Sequence, residues 1–541
     1  VVVKPNSILR IKLDNMIPER GSLNPIKKIF DEETMALNSL LKKIASAKSD
    51  PDIKGIYLDF KNFRQPLFAS VTDIRNALAD FRGSGKFIYS YDEDYSQQEY
   101  YLASVADRVF LNPEGNLTWK GLGMNMLFFK NTFEKLGIEM QIFRHGKFKS
   151  AIEPLILDKM SAANRLQAET YLNSIWHSVL ADISQSRKIS VDELNRMANE
   201  LSIRFPEDAL GSLIDQTAYE DEVVAALKKK IGAAPTDKIK FIDIKNYVAK
   251  HSPDIKLDAQ KIAVIYADGE IRSGEGQEGE VGSDRFAKAI REARLDKKVS
   301  AIVLRVNSPG GSALASEVIW REVLLAKKTK PVVVSMGDLA ASGGYYIACA
   351  ADRIFAQPNT ITGSIGVFGV IPNVSKMLEE KLGITVDTVN TNKYSDMPNG
   401  LRSFSDYERD HIQGSVERVY STFTKRVAEG RNISQAEVDS IGQGRVWSGS
   451  DALKIKLVDE LGGLSEAIAY AAKKANLKNY RLLELPKQDG FLDELLGKQS
   501  DLEARFVERN MGSAYIYVKQ LKSMVNLKGV QARLPFELIL N

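Results

Sequence analysis

Ser342 stands in the stretch DLAASGGYYIA (338–348), after two alanines and before two glycines. Small residues crowd one hydroxyl where the apolar run PVVVSM gives way to a helix-forming one, so the serine falls at or beside a helix start. Free N–H groups and the positive end of the helix dipole favour a developing oxyanion there. Gly343 and Gly344 let the backbone approach a carbonyl with no Cβ between. The same residues also describe a capping serine with glycines for close packing. A second turn, LRVNSPGGS (304–312), follows another buried-strand pattern. Sites in parallel α/β folds form at the C-terminal ends of strands. Gly311 and Gly343 could supply the two N–H donors of an oxyanion hole, although an ordinary Pro-Gly turn is written with the same letters.

A serine nucleophile needs a base. The four histidines, His145, His177, His251 and His411, stand in no recognisable motif. A lysine serves if burial lowers its pKa. FRHGKFKSAIEPL (143–155) offers Lys147 and Lys149, which point the same way if the segment is extended.

These segments must be positioned by the elements around them, and the chain contains those elements twice. YYLASVADRVFLNP (100–113) matches YYIACAADRIFAQP (345–358), and Gly137 matches Gly383. Ile189 matches Ile433, and IKGIYLDF (53–60) resembles VSAIVLRV (299–306). The register holds within about two residues, which implies a tandem duplication. Each copy alternates buried strand and amphipathic helix, so parallel strands covered by helices are expected. Long helical stretches close each copy, at 161–186 and 405–430. The expected division is an N-terminal segment 1–52, a first copy 53–230, a linker 231–260, a second copy 261–484, and a helix-leaning extension 485–541.

The two copies differ at the candidate chemistry. Opposite Ser342, Gly343 and Gly344 stand Gln97, Gln98 and Glu99, and opposite NSPGG stands KNFRQPLF (61–68). Opposite Lys147 and Lys149 stand Lys393 and Ser395. The serine belongs to the second copy alone and Lys149 to the first alone, which suggests one site built between them, although a solvated lysine would be written the same way.

Composition narrows the function. A net charge of +4 on 74 basic and 70 acidic residues gives no reason to invoke nucleic acid. Cys349, the single cysteine, excludes an intrachain disulfide and argues against a cysteine-based metal site. No Walker motif is present, and no metal or nucleotide cofactor is required. No run of eighteen apolar residues occurs.

NSPGG, GDLAASGGYYIA, TGSIGV (362–367) and FKSAIEP (148–154), in two copies, resemble the long form of the signal peptide peptidase A family. The resemblance implies a duplicated Clp-protease/crotonase-like ββα spiral and a Ser-Lys dyad. It implies Ser342 as nucleophile, Lys149 as base, Ser364 as the hydroxyl holding the lysine, and Gly311 and Gly343 as oxyanion donors. The expected substrates are cleaved signal peptides and other hydrophobic or unfolded peptides. A homo-oligomer, tetrameric by resemblance, is expected at the periplasmic side of the bacterial inner membrane. Members of the family carry an N-terminal membrane anchor, and the expectation is that it has been removed from this chain. A crotonase-type acyl-CoA enzyme and an inactive scaffold are the rival readings.

Overall fold

The computed structural model describes residues 3–14, 16–21, 35–248, 259–487 and 530–534. Strand runs such as Lys261–Asp268 and Val299–Ser308 are apolar and β-branched along nearly their whole length, and almost every residue is buried. Burial on both faces requires helices on both sides of the sheet, and a parallel sheet supplies that arrangement.

Two sheets result, the first parallel throughout and the second parallel but for one edge pair, Ile361–Gly363 antiparallel to Val446–Ser448. In the first copy the strand order is Gln216–Thr217, Arg108–Leu117, Phe87–Tyr95, Ile53–Lys61, Ser7–Asp14, Phe241–Asp243. In the second, Glu460–Leu461, Arg353–Ala356, Val332–Ala341, Val299–Ser308, Lys261–Asp268 and Arg481–Leu485 follow in the same order. The duplication reaches single hydrogen bonds. Tyr100 donates to the Leu213 carbonyl at 2.8 Å, and Tyr345 to Leu457 at 2.9 Å. Asp107 accepts from Ile88 N–H, and Asp352 from Val332 N–H, both at 2.8 Å. The long helices Ala162–Arg187 and Asp406–Arg431 both end on a left-handed residue, Lys188 and Asn432.

The first copy's sheet draws on residues outside 53–230. Ser7–Asp14 pairs with Ile53–Lys61 on one side and with Phe241–Asp243 on the other. The segment 1–52 therefore contributes an interior strand, and the stretch 231–260 contributes an edge strand. From the interior strand, Arg10 reaches Asp59, with Nε–Oδ2 at 2.8 Å. Of the extension 485–541, only 485–487 and 530–534 lie among the described residues.

A third, mixed sheet joins the copies. Its order is Glu280–Gly282, Glu270–Arg272, Gly310–Ser312, Gln531–Arg533, Val367–Asn373, Glu139–His145. The last two strands belong to different copies and pair antiparallel over seven residues, from Val367–His145 to Asn373–Glu139. Side chains reinforce the junction. Asp338 accepts from Ser70 N–H at 2.8 Å and from Ser70 Oγ at 2.7 Å. Arg305, fully buried in the second copy, donates to both Glu19 oxygens at 2.8 and 3.0 Å and to Asp73 at 3.2 Å.

Removing one side of a buried ion pair strands the other charge without water. Arg305→Leu is therefore expected to destabilise the protein by about 3–5 kcal/mol. Thermal or denaturant unfolding of the variant beside the wild type measures it.

Candidate active site

Ser342 ends the strand Val332–Ala341 and is the N-cap of the helix Gly343–Ala348. Its hydroxyl makes no capping hydrogen bond. The backbone sits at φ 55° and ψ −115°, a conformation that side-chain-bearing residues rarely adopt. Its own N–H is taken by the Gly363 carbonyl at 2.8 Å. These constraints hold a fully buried hydroxyl at a tight strand-to-helix turn and aim it away from the helix end it would ordinarily cap.

Lys149 arrives from the other copy. The strand Glu139–His145 carries the chain along the second copy's edge, and Gly146, at φ 96°, turns it inward. A Cβ on Gly146 would lie 2.4 Å from the Gln443 carbonyl oxygen. Phe148 N–H donates to that same carbonyl at 3.0 Å. The Gln167 amide nitrogen donates to the Phe148 carbonyl at 3.1 Å and Ser150 Oγ at 3.0 Å, while its oxygen accepts from Val446 N–H at 3.1 Å. Two glycines form the slot for the lysine: a Cβ on Gly444 would lie 2.5 Å from Lys149 N, and one on Gly366 would lie 3.2 Å from Lys149 Cδ.

The lysine Nζ lies 2.9 Å from Ser342 Oγ, 3.0 Å from Ser364 Oγ and 3.2 Å from the Ser364 carbonyl oxygen. Burial drives the amine well below its ordinary pKa and is the sole cause of the shift. A neutral amine has two N–H groups and one lone pair. The Ser364 carbonyl can only accept, so it takes one N–H. With the second directed to Ser364 Oγ, the lone pair faces the Ser342 hydroxyl.

Lys147 and Lys149 do not point the same way. Lys147 is exposed, with Nζ 5.2 Å from the Phe148 ring centroid, and Lys149 is fully buried. The expectation assumed an extended segment, but the chain turns at Gly146 and enters a short helical turn at Ser150–Ile152. Of the histidines, His145 stacks on Tyr420 at 3.7 Å, His177 and His411 lie in the two long helices, and His251 falls outside the described residues.

Gly310 lies against the start of the helix that Ser342 caps, and Gly311, next to it, packs on the Ile271 backbone. As the first helical residue, Gly343 has an N–H with no acceptor inside its helix. The strand Gly310–Ser312 pairs antiparallel with Gln531–Arg533, Gly311 opposite Ala532. Leu534 N–H donates to the Pro309 carbonyl at 2.7 Å. A Cβ on Gly310 would come within 2.1 Å of the Ala532 carbonyl oxygen and 2.6 Å of Gly343 N, and one on Gly343 within 3.0 Å of that oxygen. The groove beside Ser342 thus holds an extended segment of the chain itself, with one carbonyl against the two glycines.

The first copy shows how the same frame looks without this chemistry. Ser96 is its N-cap, at φ −67° and ψ 164°, in a capping box with Glu99. The structural counterpart of Ser342 is therefore Ser96, one residue before the Gln97 that the sequence register places there. Gln97 accepts from Lys120 N–H at 2.9 Å and Gly121 N–H at 2.8 Å. Gln98 and Glu99 bind the backbone of Gln65 and Phe63 at 2.8 Å each, fixing the loop that replaces NSPGG.

Gly366, Gly444 and Gln167 escaped the sequence reading. Gly366 lies inside the quoted TGSIGV, but nothing marks Gly444 or Gln167, whose roles arise only where the copies meet. Glu153 of FKSAIEP anchors the start of the long helix, where its carboxylate accepts from Ser161 Oγ at 2.6 Å and Asn164 Nδ2 at 2.9 Å.

The Peptidase family S49 profile matches residues 80–234 and 325–478, once in each copy. The chain is 40% identical to Protease 4 of Salmonella typhi over 459 residues, covering 83% of this chain and 73% of that protein. It is 36% identical to Protease 4 of Haemophilus influenzae over 83% of this chain and 75% of that one. It is also 33% identical to the chloroplastic serine protease SPPA of Arabidopsis thaliana, over 98% of this chain and 78% of that one. Among solved structures, a ClpP1 mutant from Listeria monocytogenes overlays with TM-score 0.26 at 16% identity, on 38% of this chain and 94% of that one. A serine hydrolase on a duplicated α/β frame is thus defined, and its family is specific. The chain belongs to peptidase family S49 and is a serine peptidase.

A buried neutral lysine opposes folding. The unfolded chain binds a proton at Lys149 below the free lysine pKa of about 10.4, while the folded chain releases it at lower pH. Stability therefore rises with pH between the folded and unfolded pKa values, where the unfolded state binds more protons. Lys149→Met is expected to raise the melting temperature at neutral pH, with the gain shrinking as pH approaches about 10. Melting curves of both proteins across that range measure it.

Proposed function

We propose that the protein is an endopeptidase with a Ser342–Lys149 dyad, acting on extended hydrophobic or unfolded peptides, cleaved signal peptides among them. The observation that carries this reading is the 2.9 Å contact between the Lys149 amine and the Ser342 hydroxyl in a fully buried setting. A base made neutral by burial needs no histidine and no carboxylate behind it.

Lys149 takes the Ser342 proton as Oγ attacks the peptide carbonyl, and the N–H groups of Gly311 and Gly343 receive the oxyanion. The resulting ammonium, held by Ser364, gives its proton to the leaving amine. The acyl-enzyme is hydrolysed when the amine, neutral again, takes a proton from water. Burial matters twice in this cycle, because it keeps the resting amine neutral and strengthens its brief charge interaction with the oxyanion. The strand Gln531–Arg533 in the groove supports an extended substrate, since it lays the Ala532 carbonyl against Gly310 and Gly343. Family membership supports a place at the periplasmic face of the bacterial inner membrane. Among the described residues no helix is long and apolar enough to cross a membrane, so that placement requires a segment other than those described.

A quenched hydrophobic peptide tests the assignment. Ser342→Ala is expected to abolish turnover, and Lys149→Ala to lower kcat by about 10²–10⁴-fold. Lys147→Ala, altering an exposed side chain, is expected to keep wild-type activity. Full activity in the Lys149 variant overturns the dyad. The rate should rise with pH along a limb whose midpoint lies well below the lysine value of about 10.4, because the depressed pKa makes the neutral amine available there. A limb centred near the free-lysine value contradicts a buried base.

A further inference from the structure

The strands Val299–Ser308 and Val332–Ala341 fall out of step just before the site. Val306 pairs with Met336 and Ser308 with Ala340, so Asn307 alone stands against Gly337, Asp338 and Leu339. A bulge of this kind leaves ladder groups unpaired and re-aims whatever follows it. Ser342 follows soon after on the bulged strand, and the turn with Gly310 and Gly311 follows on the other.

One side chain closes the gap. The Leu339 N–H donates to Asn307 Oδ1 at 3.1 Å. A backbone N–H can only donate, so it takes the amide oxygen and leaves the nitrogen facing the other way. There Asn307 Nδ2 donates to Asp268 Oδ1 at 3.0 Å, at the end of the neighbouring strand Lys261–Asp268. The Asn307 carbonyl accepts from Gly269 N–H at 3.0 Å. A Cβ on Gly337 would lie 3.2 Å from Asn307 Cβ, so the bulge sits directly on this residue. The ends of three strands are thus tied at Asn307.

Beyond the tie, the two strands must meet closely. A Cβ on Gly344 would lie 2.7 Å from the Ser308 carbonyl oxygen, and one on Gly310 would lie 2.6 Å from Gly343 N. The Ser308 hydroxyl accepts from Gly310 N–H at 3.2 Å. The bulge therefore sets how far the glycine turn stands from the helix start at Ser342. The first copy keeps the aspartate and drops the amide. Asp14 pairs with Lys61 there as Asp268 pairs with Asn307, and Lys61 is exposed. The tie belongs to the copy with the serine, whereas the tyrosine and aspartate contacts of the frame occur in both.

We propose that Asn307, fixed by Asp268, is a positioning residue that sets the oxyanion turn at Gly310 and Gly311 against Ser342. This rests on the reading of Ser342 as the nucleophile, though not on which group takes its proton.

Steady-state cleavage of the quenched peptide by the full chain tests it. Asn307→Ala is expected to lower kcat on the order of 10²-fold, the cost of a misplacement of about 1 Å. KM is expected to stay nearly unchanged, because the amide is spent on Leu339 and Asp268 rather than on substrate. Asn307→Asp sets two carboxyl groups face to face. Asp268 is pushed up to about 7 by burial, with Glu19 and Asp338 adding to the rise and Asn307 and Arg305 opposing it. A proton shared by the substituted pair replaces the lost N–H at low pH and leaves as pH rises. The deficit of this variant against wild type at the same pH should therefore grow past about pH 7. The double variant Asp268→Asn, Asn307→Asp exchanges donor and acceptor and is expected to regain most of that loss. Wild-type kcat in Asn307→Ala, a loss carried by KM, or a double variant no better than Asn307→Asp overturns the proposal. Lys149→Ala in the same assay keeps the two readings apart: full activity there overturns the dyad, while the rescue still reports on Asn307.

Discussion

The protein depends on one amine being brought into a dry place and left there with no counter-ion among the described residues. Every other requirement of the site follows from that. A carboxylate near Lys149 would hold the proton on it, so the lysine must be surrounded by hydroxyls, a carbonyl and apolar walls. Its neighbours are Ser342, Ser364 and, at 6.0 Å from Nζ, the Phe368 ring. A buried long side chain must also be threaded through backbone, which is why Gly366 and Gly444 flank its stem. The strand Glu139–His145 delivers it by lying on the second copy's edge, far from its own copy's sheet in hydrogen-bonding terms. The two copies therefore cannot separate without dissolving the site, and the buried contacts from Arg305 and Asp338 to the first copy act to prevent it.

Duplication separates what the frame needs from what the chemistry needs. The tyrosine that reaches a distant carbonyl and the aspartate that receives a strand N–H are kept in both halves. They satisfy buried polar groups that the α/β frame creates wherever it is built. The serine, the glycines and the lysine are kept in one half each. Where the chemistry is gone, the polar backbone around it still needs partners, and Gln97, Gln98 and Glu99 supply them. The first copy is a hydrogen-bonded solution to the same local problem.

Much of this was legible in the sequence because burial writes strong patterns. Parallel strands covered on both faces read as unbroken apolar runs, and two such series in register gave the duplication. The strand Ser7–Asp14 was less legible. Arg10 and Lys12 interrupt its apolar run, yet the strand is paired on both edges, and Arg10, partly exposed, is held by Asp59. Ser342 and Lys149 could be singled out because each belongs to one copy alone. Which lysine is buried depended on a turn at Gly146, which a period-two reading cannot register. The slot glycines and Gln167 carry no local signature, since what they touch lies hundreds of residues away in the chain.

The backbone at Ser342 joins these themes. A positive φ on a residue with a side chain costs on the order of 1–3 kcal/mol and persists only where the surroundings enforce it. Ser342 at φ 55° and Ser364 at φ 51° both sit in that region, and they are the two serines that touch the lysine. Ser96, the counterpart of Ser342 at the same helix start, has relaxed to φ −67° and uses its hydroxyl as a cap. A capping serine spends its oxygen on the N–H groups of the helix, leaving none to attack and filling the place an oxyanion would need. The strained turn keeps the hydroxyl off the cap, leaves the N–H of Gly343 open, and turns the oxygen toward the amine. On the proposed dyad, strain at this residue is the condition for having both a nucleophile and an oxyanion hole at one helix terminus, and the first copy, which carries neither, does not sustain it.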